Sequence, residues 1–290
     1  PGLIALTPRQ LSGLPGSIGG NDLIEALRWM PGVERAGEAT GGLPVRGSGP
    51  DQNLYLIDGA PIYHPWHAFS LISTFQTDTF KNILLYKGAF PAEYGGRLSA
   101  VMDAELRDGA RTTPKATIGL SALNANFLIE SPINSKSSFM LSGRRSYLDK
   151  IIGRSHPVED EAGRRDTLRT GYYFYDWSAK LSHRPDSRSN FTFSYYSGSD
   201  DLDLRLPFDL SLDFASWLRP ADLFFEIDQN WGNRIFSSRY QRLVSNQVFL
   251  TLTGYNSTYA AAENTFIRPT QSAFVRSKYT VDLEDLGAQV

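Results

Sequence analysis

The chain has 290 residues, 21% of them charged, a formal net charge of −2 and no cysteine. So even a charge balance supplies no basic field for nucleic acid, and the missing thiols exclude cysteine nucleophiles, Cys-ligated zinc and disulfide scaffolds. Aromatics are abundant, with 14 Tyr, 17 Phe and 5 Trp, and the charged fraction lies below the roughly 25% of an average soluble domain, which favours an all-β chain. There is no run of about 18 apolar residues, so no membrane helix is expected, whereas a barrel strand needs only every second residue apolar.

Pro1 is preceded by no Met and followed by no basic and apolar leader, so a signal peptide is expected to lie ahead of it. Residues 1–20 read as a linker. The organised part begins at Asn21, where Asp22 followed by Glu25 fits a capping box and Leu23, Ala26, Leu27 and Met30 share a helical face. Pro31-Gly32 stops that helix. A glycine-rich loop (33–42), short strands at 43–46 and 53–57, the Asp58-Gly59 turn, a long loop (60–77) and strands at 80–86 and 98–106 complete a small α+β unit over 21–110.

Beyond residue 110 the pattern has period two. Tyr173, Tyr175, Trp177, Ala179 and Leu181 alternate with Phe174, Asp176, Ser178, Lys180 and Ser182, and similar alternation recurs at Phe191, Phe193 and Tyr195 and at Val275, Tyr279, Val281 and Leu283. Seven strands are expected, at 116–130, 137–149, 171–183, 190–200, 229–242, 247–260 and 274–286. Their connections alternate between short turns and long polar loops, as in an up-and-down membrane barrel. The predicted fold is therefore mainly β: a small α+β plug, then over 111–290 the first strands of a transmembrane antiparallel β-barrel of about 22 strands, the size needed to house a plug. Asp176, Lys180, Arg276 and Lys278 are expected to face the lumen. Tyr147, Tyr172, Tyr173, Tyr175, Trp177, Tyr195 and Phe249 are expected in the interfacial aromatic girdles.

The chain resembles the TonB-dependent outer-membrane receptors, in particular their ferric-citrate-receptor-like branch as found in Bacteroidetes. The resemblance rests on Asp22-Leu23-Ile24-Glu25-Ala26-Leu27 with Pro31-Gly32-Val33, on Val45-Arg46-Gly47 with Asp51-Gln52-Asn53-Leu54 and Asp58-Gly59, on Tyr86-Lys87-Gly88, and on Phe90-Pro91-Ala92-Glu93-Tyr94-Gly95-Gly96-Arg97-Leu98-Ser99. Over the barrel it rests on pattern and on Trp231-Gly232-Asn233. It implies active uptake of a scarce solute, such as a siderophore-type iron complex, without bond chemistry and without a cofactor. The implied partners are the TonB energy-transducing complex, acting through an N-terminal box not recognisable here, outer-membrane lipid, a small-molecule ligand and a surface lipoprotein.

The resemblance also implies site residues. The loop with Tyr63, His64, Trp66, His67 and Phe69 corresponds to a plug loop that points toward the extracellular vestibule, where its rings and imidazoles suit stacking on a solute, the equal alternative being that they pack against the barrel wall. Glu34, Arg35 and Glu38 occupy the other apical loop, placed to contact a polar ligand, solvated charge being the commoner reading. Arg46, with Asp58, Glu93 and Arg97, is the expected polar lock between plug and barrel, an ordinary buried ion pair being the simpler reading. Two histidines without a carboxylate cluster nearby in sequence predict no metal site.

Two other classes compete with this reading. A hydrolase is disfavoured by the absence of a G-x-S-x-G elbow, an H-E-x-x-H helix and a Cys nucleophile, and the acids Asp200-Asp201 and Glu159-Asp160-Glu161 read as solvated charges of external loops. A soluble or surface-attached β-sandwich for binding or adhesion remains the alternative. It would bury in protein the apolar face that a barrel turns to lipid.

Overall fold

The computed structural model describes residues 2–7, 10, 22–27, 29–33, 43–68, 70–151, 153–159, 165–208, 223–269 and 275–289. The first sheet comprises β1 (Leu3–Leu6), β2 (Leu54–Ile57), β3 (Ala60–Pro61), β6 (Phe80–Tyr86) and β7 (Val101–Leu106), in the order β1-β6-β7-β2-β3. Among the described residues only β2 and β7 pair in parallel; β4 (Trp66–His67) and β5 (Ile72–Ser73) form a separate two-stranded ladder within the intervening crossover. Helix α1 (Leu23–Leu27) buries Leu23, Ile24, Ala26 and Leu27 against this unit. Asp22 accepts the Ile24 N–H at 2.9 Å and the Ser73 N–H at 2.5 Å, so one carboxylate caps the helix and ties it to β5. The expected strand at 43–46 is reduced to a single bridge between Val45 and Val33.

The turn Asp58-Gly59 joins β2 to β3 with both φ values positive, 49° and 78°. This is the two-residue hairpin geometry that Asp-Gly favours. It carries the Asp58 side chain out of the plug toward the second sheet.

That second sheet is an antiparallel succession: β8 (Lys115–Leu120), β9 (Asn124–Asn134), β10 (Ser137–Ser146), β12 (Arg165–His183), β13 (Ser189–Phe208), β14 (Leu223–Ser245), β15 (Val248–Pro269) and β16 (Val275–Gln289), with β11 (Arg154–Glu159) added along β12. A short helix, α2 (Leu148–Ile151), follows β10. Among the described residues the main path therefore has eight strands where seven were expected. The segment read as one strand at 116–130 is a hairpin, turned by Ser121, whose hydroxyl accepts the N–H groups of Leu123 and Asn124. No Gly or Pro marks that turn.

The two faces of this sheet differ as the alternation requires. On β12 the even residues Tyr172, Phe174, Asp176, Ser178, Lys180 and Ser182 are buried against the plug. The opposite row stays open, with Trp177, Leu181, Phe193 and Phe236 exposed by 45, 41, 52 and 54%. Aromatic pairs line that outer surface, among them Phe127 with Trp177 at 5.7 Å and Tyr195 with Phe236 at 4.8 Å. A sandwich would bury this row; here, among the described residues, it is the polar row that is covered.

Four side chains are placed otherwise than expected: Tyr172, Arg276, Lys278 and Phe249, the last sharing the inner parity of Thr253 and Ser257 on β15. Tyr172 belongs to the inner row, because its parity on β12 is even and its hydroxyl bonds Asp200. On β16 the pairing Ser257↔Asp285 puts Asp285 on the inner face, so Tyr279, Val281 and Leu283 share that face and Arg276 and Lys278 take the other. In a strand a shift of one residue exchanges every side chain between faces, and β16 takes its register from β15 alone.

Candidate functional site

The plug meets the wall chiefly along its segment 58–68. At one end, Lys180 donates from Nζ to Asp58 Oδ1 at 2.9 Å and to the Leu106 carbonyl at 3.0 Å, while the Leu106 N–H reaches the same Asp58 oxygen at 3.2 Å. Between the ends the wall grips backbone. Ser237 donates to the Asp58 carbonyl at 2.8 Å, Ser257 to the Pro61 carbonyl at 2.6 Å, and the Asn233 amide gives to the His64 carbonyl at 3.0 Å and takes the Tyr63 N–H at 3.3 Å. Short hydroxyl and amide side chains on the inner row thereby satisfy backbone groups that the loop cannot pair internally.

At the other end lies a buried charge cluster. His67, 1% exposed, has Nε2 at 2.8 Å from Asp176 Oδ1 and Nδ1 at 2.6 Å from Asp200 Oδ2. Both ring nitrogens face carboxylate oxygens, which accept only, so the ring donates from both and is an imidazolium. Burial alone would push its pKa down, but the charges and hydrogen bonds of Asp176 and Asp200 raise it to about 9.

Other groups complete the cluster around both carboxylates. Arg144 reaches Asp176 Oδ2 from Nε at 2.7 Å and from a terminal nitrogen at 2.5 Å, and donates to the Ser73 carbonyl of the plug at 2.7 Å. Tyr196 donates to Asp176 Oδ1 at 2.7 Å. Tyr172 donates to Asp200 and accepts the Ala68 N–H. Phe174 stacks under the imidazolium, centroids 4.3 Å apart and planes 12° apart, with the Arg144 guanidinium 5.2 Å from the same ring. Two cations and two carboxylates leave the cluster neutral, the condition under which buried ions are tolerated. Gly198, opposite Asp176, makes room for it: a Cβ there would strike the Tyr196 hydroxyl and lie 2.8 Å from Asp176 Oδ1.

His64, three residues earlier, is in different surroundings. Its ring stacks on Tyr259 at 5.9 Å and meets Trp231 edge-on at 6.3 Å. Burial, with the neighbouring charge of His67, lowers its pKa, against the pull of Asp200. Tyr63 donates its hydroxyl to Asp285 on β16 at 2.8 Å, and burial with that carboxylate pushes its pKa up to about 12. Trp66 is buried in the plug core.

Of the sequence-predicted residues, the structure thus brings Tyr63, His64 and His67 to the wall and buries Trp66. Glu34, Arg35, Glu38 and Phe69 lie outside the described residues. Arg46, Glu93 and Arg97 are exposed and are not brought to Asp58, whose carboxylate is taken by Lys180. Sequence reasoning missed Asp200 and Tyr172. Asp200 read as a loop charge, yet it is 2% exposed on β13. The alternation of Leu202 and Leu204 with Asp201 and Asp203 was the available sign that the strand continued past residue 200.

Residues 16–101 match the TonB-dependent Receptor Plug Domain family. A 69-residue stretch is 35% identical to the ferric enterobactin receptor of Pseudomonas aeruginosa, covering 21% of this chain and 9% of that protein. The whole arrangement is similar to the ferric yersiniabactin uptake receptor FyuA from Yersinia pestis, with a TM-score of 0.58 at 12% identity over 99% of this chain and 52% of that one. It is also similar to the siderophore receptor PirA from Acinetobacter baumannii, with a TM-score of 0.51 at 15% identity over 99% of this chain and 48% of that one. At such identities the likeness shows the fold, a plug against barrel strands, and the chain spans about half the length of those structures.

Proposed function

We propose that this chain is the plug and leading wall strands of an outer-membrane receptor that takes up a scarce solute of the siderophore-iron class, the plug gating the lumen. The observation that carries the reading is the sorting of the strands into an open apolar row and a polar row filled by the chain's own N-terminal unit. Lipid suits the first surface and a plugged lumen the second. In this reading the TonB complex supplies the work through a segment ahead of the plug, and a surface lipoprotein is a further partner. Membership of the ferric-citrate-like branch rests on the motif variant quoted above.

The ligand is taken to meet the apical side of the plug, at the loop from Tyr63 to Phe69 and that of Glu34, Arg35 and Glu38. The rings of His64, Trp231 and Tyr259 form the aromatic part of that meeting place, and Tyr63 adds a hydroxyl. Trp66 and His67 support the loop from below. The polar lock centres on Asp58 with Lys180, while Arg46, Glu93 and Arg97 are free to engage groups that the plug meets when it moves.

Uptake of iron complexes by cells carrying the protein, with and without a functional TonB complex, tests this directly. Accumulation that depends on TonB is expected, and native mass spectrometry of the purified protein should identify the co-purifying solute. Accumulation independent of TonB would reject the proposal.

A further inference from the structure

The wall touches the plug loop in two chemically different ways. Serine and asparagine side chains bond its backbone, a grip that almost any loop sequence would satisfy. The charged contacts at its two ends are specific, and they are opposite in sign: the plug offers a carboxylate at Asp58 to the wall's Lys180, and a cation at His67 to the wall's Asp176 and Asp200. Asp176 and Lys180 lie four residues apart on one face of β12, roughly 13 Å at the usual rise of a strand. One row of one strand thus carries the complement of both ends of the loop.

His67 differs from the other contacts in a second respect. Its imidazolium enters a recess built from wall side chains: carboxylates at both nitrogens, Phe174 under the ring plane, Tyr172 on the outer oxygen of Asp200, Tyr196 on the Asp176 oxygen that His67 also bonds, and Arg144 on the other Asp176 oxygen, balancing the charge. If the loop left, Asp200 would lose its cation, and the wall would keep two carboxylates against one guanidinium. We propose that His67 is a charged latch, an imidazolium bolt seated in a barrel-wall keeper of Asp176, Asp200 and Phe174, and that its withdrawal is the step that frees the loop 60–68 when the plug moves. The proposal rests on the receptor reading for its purpose but not for its test.

Buried pairs cost most when one partner is removed and the other stays. In the protein in detergent, hydrogen exchange read by mass spectrometry should therefore show residues 60–68 opening about tenfold or more faster in His67→Gly, with β12–β14 still protected. Because the keeper belongs to the wall, free imidazole added to that variant should refill the recess and restore the protection. The same imidazole should restore nothing once Asp200→Asn is added. Unchanged exchange in His67→Gly, absence of rescue, or rescue that persists without the Asp200 carboxylate would each overturn the latch.

If the glycine variant fails to assemble, Asp200→Asn alone decides, since it preserves the shape of the keeper. Faster exchange confined to 60–68 supports the latch and native exchange refutes it. All of these readouts concern the resting protein, so a failed latch leaves the receptor reading to the uptake assay.

Discussion

The two faces of β12 share one backbone and behave as surfaces in different solvents. Outward, Trp177 and Leu181 stand uncovered; inward, Asp176, Ser178, Lys180 and Ser182 are all buried. A sheet facing water on one side would have this the other way round, with the apolar row inside. The inner row tolerates burial because the plug brings it partners: His67 to Asp176, Asp58 to Lys180, and loop carbonyls to the hydroxyls and amides of the neighbouring strands. The comparison teaches that the wall's polarity is legible only together with the plug.

The largest effects should come from breaking the inner row. Lys180→Met leaves the Asp58 carboxylate buried without its cation, and Asp176→Ala strands Arg144 and leaves His67 with Asp200 alone. Each should cost about 3–5 kcal/mol of plug docking, read as early protease cleavage of the plug at unchanged barrel heat stability. The outer row should respond to the opposite change. Phe236→Lys or Trp177→Lys should impair assembly in lipid by about 2–4 kcal/mol near the midplane, whereas the same substitutions should be almost silent if that face met water.

A smaller effect follows from pH, with a definite sign. His67 binds its proton more tightly docked than free, so its contribution is complete below the usual 6.5, declines as the pH rises from there, and is gone above about 9. The charged and titratable groups facing it are Asp176 and Tyr172 from β12, Asp200 and Tyr196 from β13, Arg144 from β10 and His64 from its own loop. Protection of residues 60–68 should fall across that interval in the native protein and stay flat in His67→Gly.

Much of this was written in the sequence. Alternation placed Asp176 and Lys180 on the inner row of β12, though not Tyr172 or Asp200, and the Asp58-Gly59 pair announced its hairpin. The Ser121 turn was hidden because a hydroxyl, with no Gly or Pro, makes it. The His67 cluster was hidden for a deeper reason: Arg144, Asp176 and Asp200 lie 77, 109 and 133 residues beyond His67, and only strand register brings them together. Acidic residues at the end of a strand look the same in sequence whether they face water or an imidazolium. Arg46 shows the converse, since a motif arginine expected in a lock lies exposed.

The central claim is that the apolar row meets lipid while the opposite row meets the plug, and two tryptophans report on it. Trp177 lies on the outer face and Trp231, 5% exposed, on the inner one. In single-tryptophan variants reconstituted into bilayers of brominated lipid, the account predicts strong quenching of Trp177 and little of Trp231. Equal quenching of both, or quenching of Trp231 alone, would contradict it.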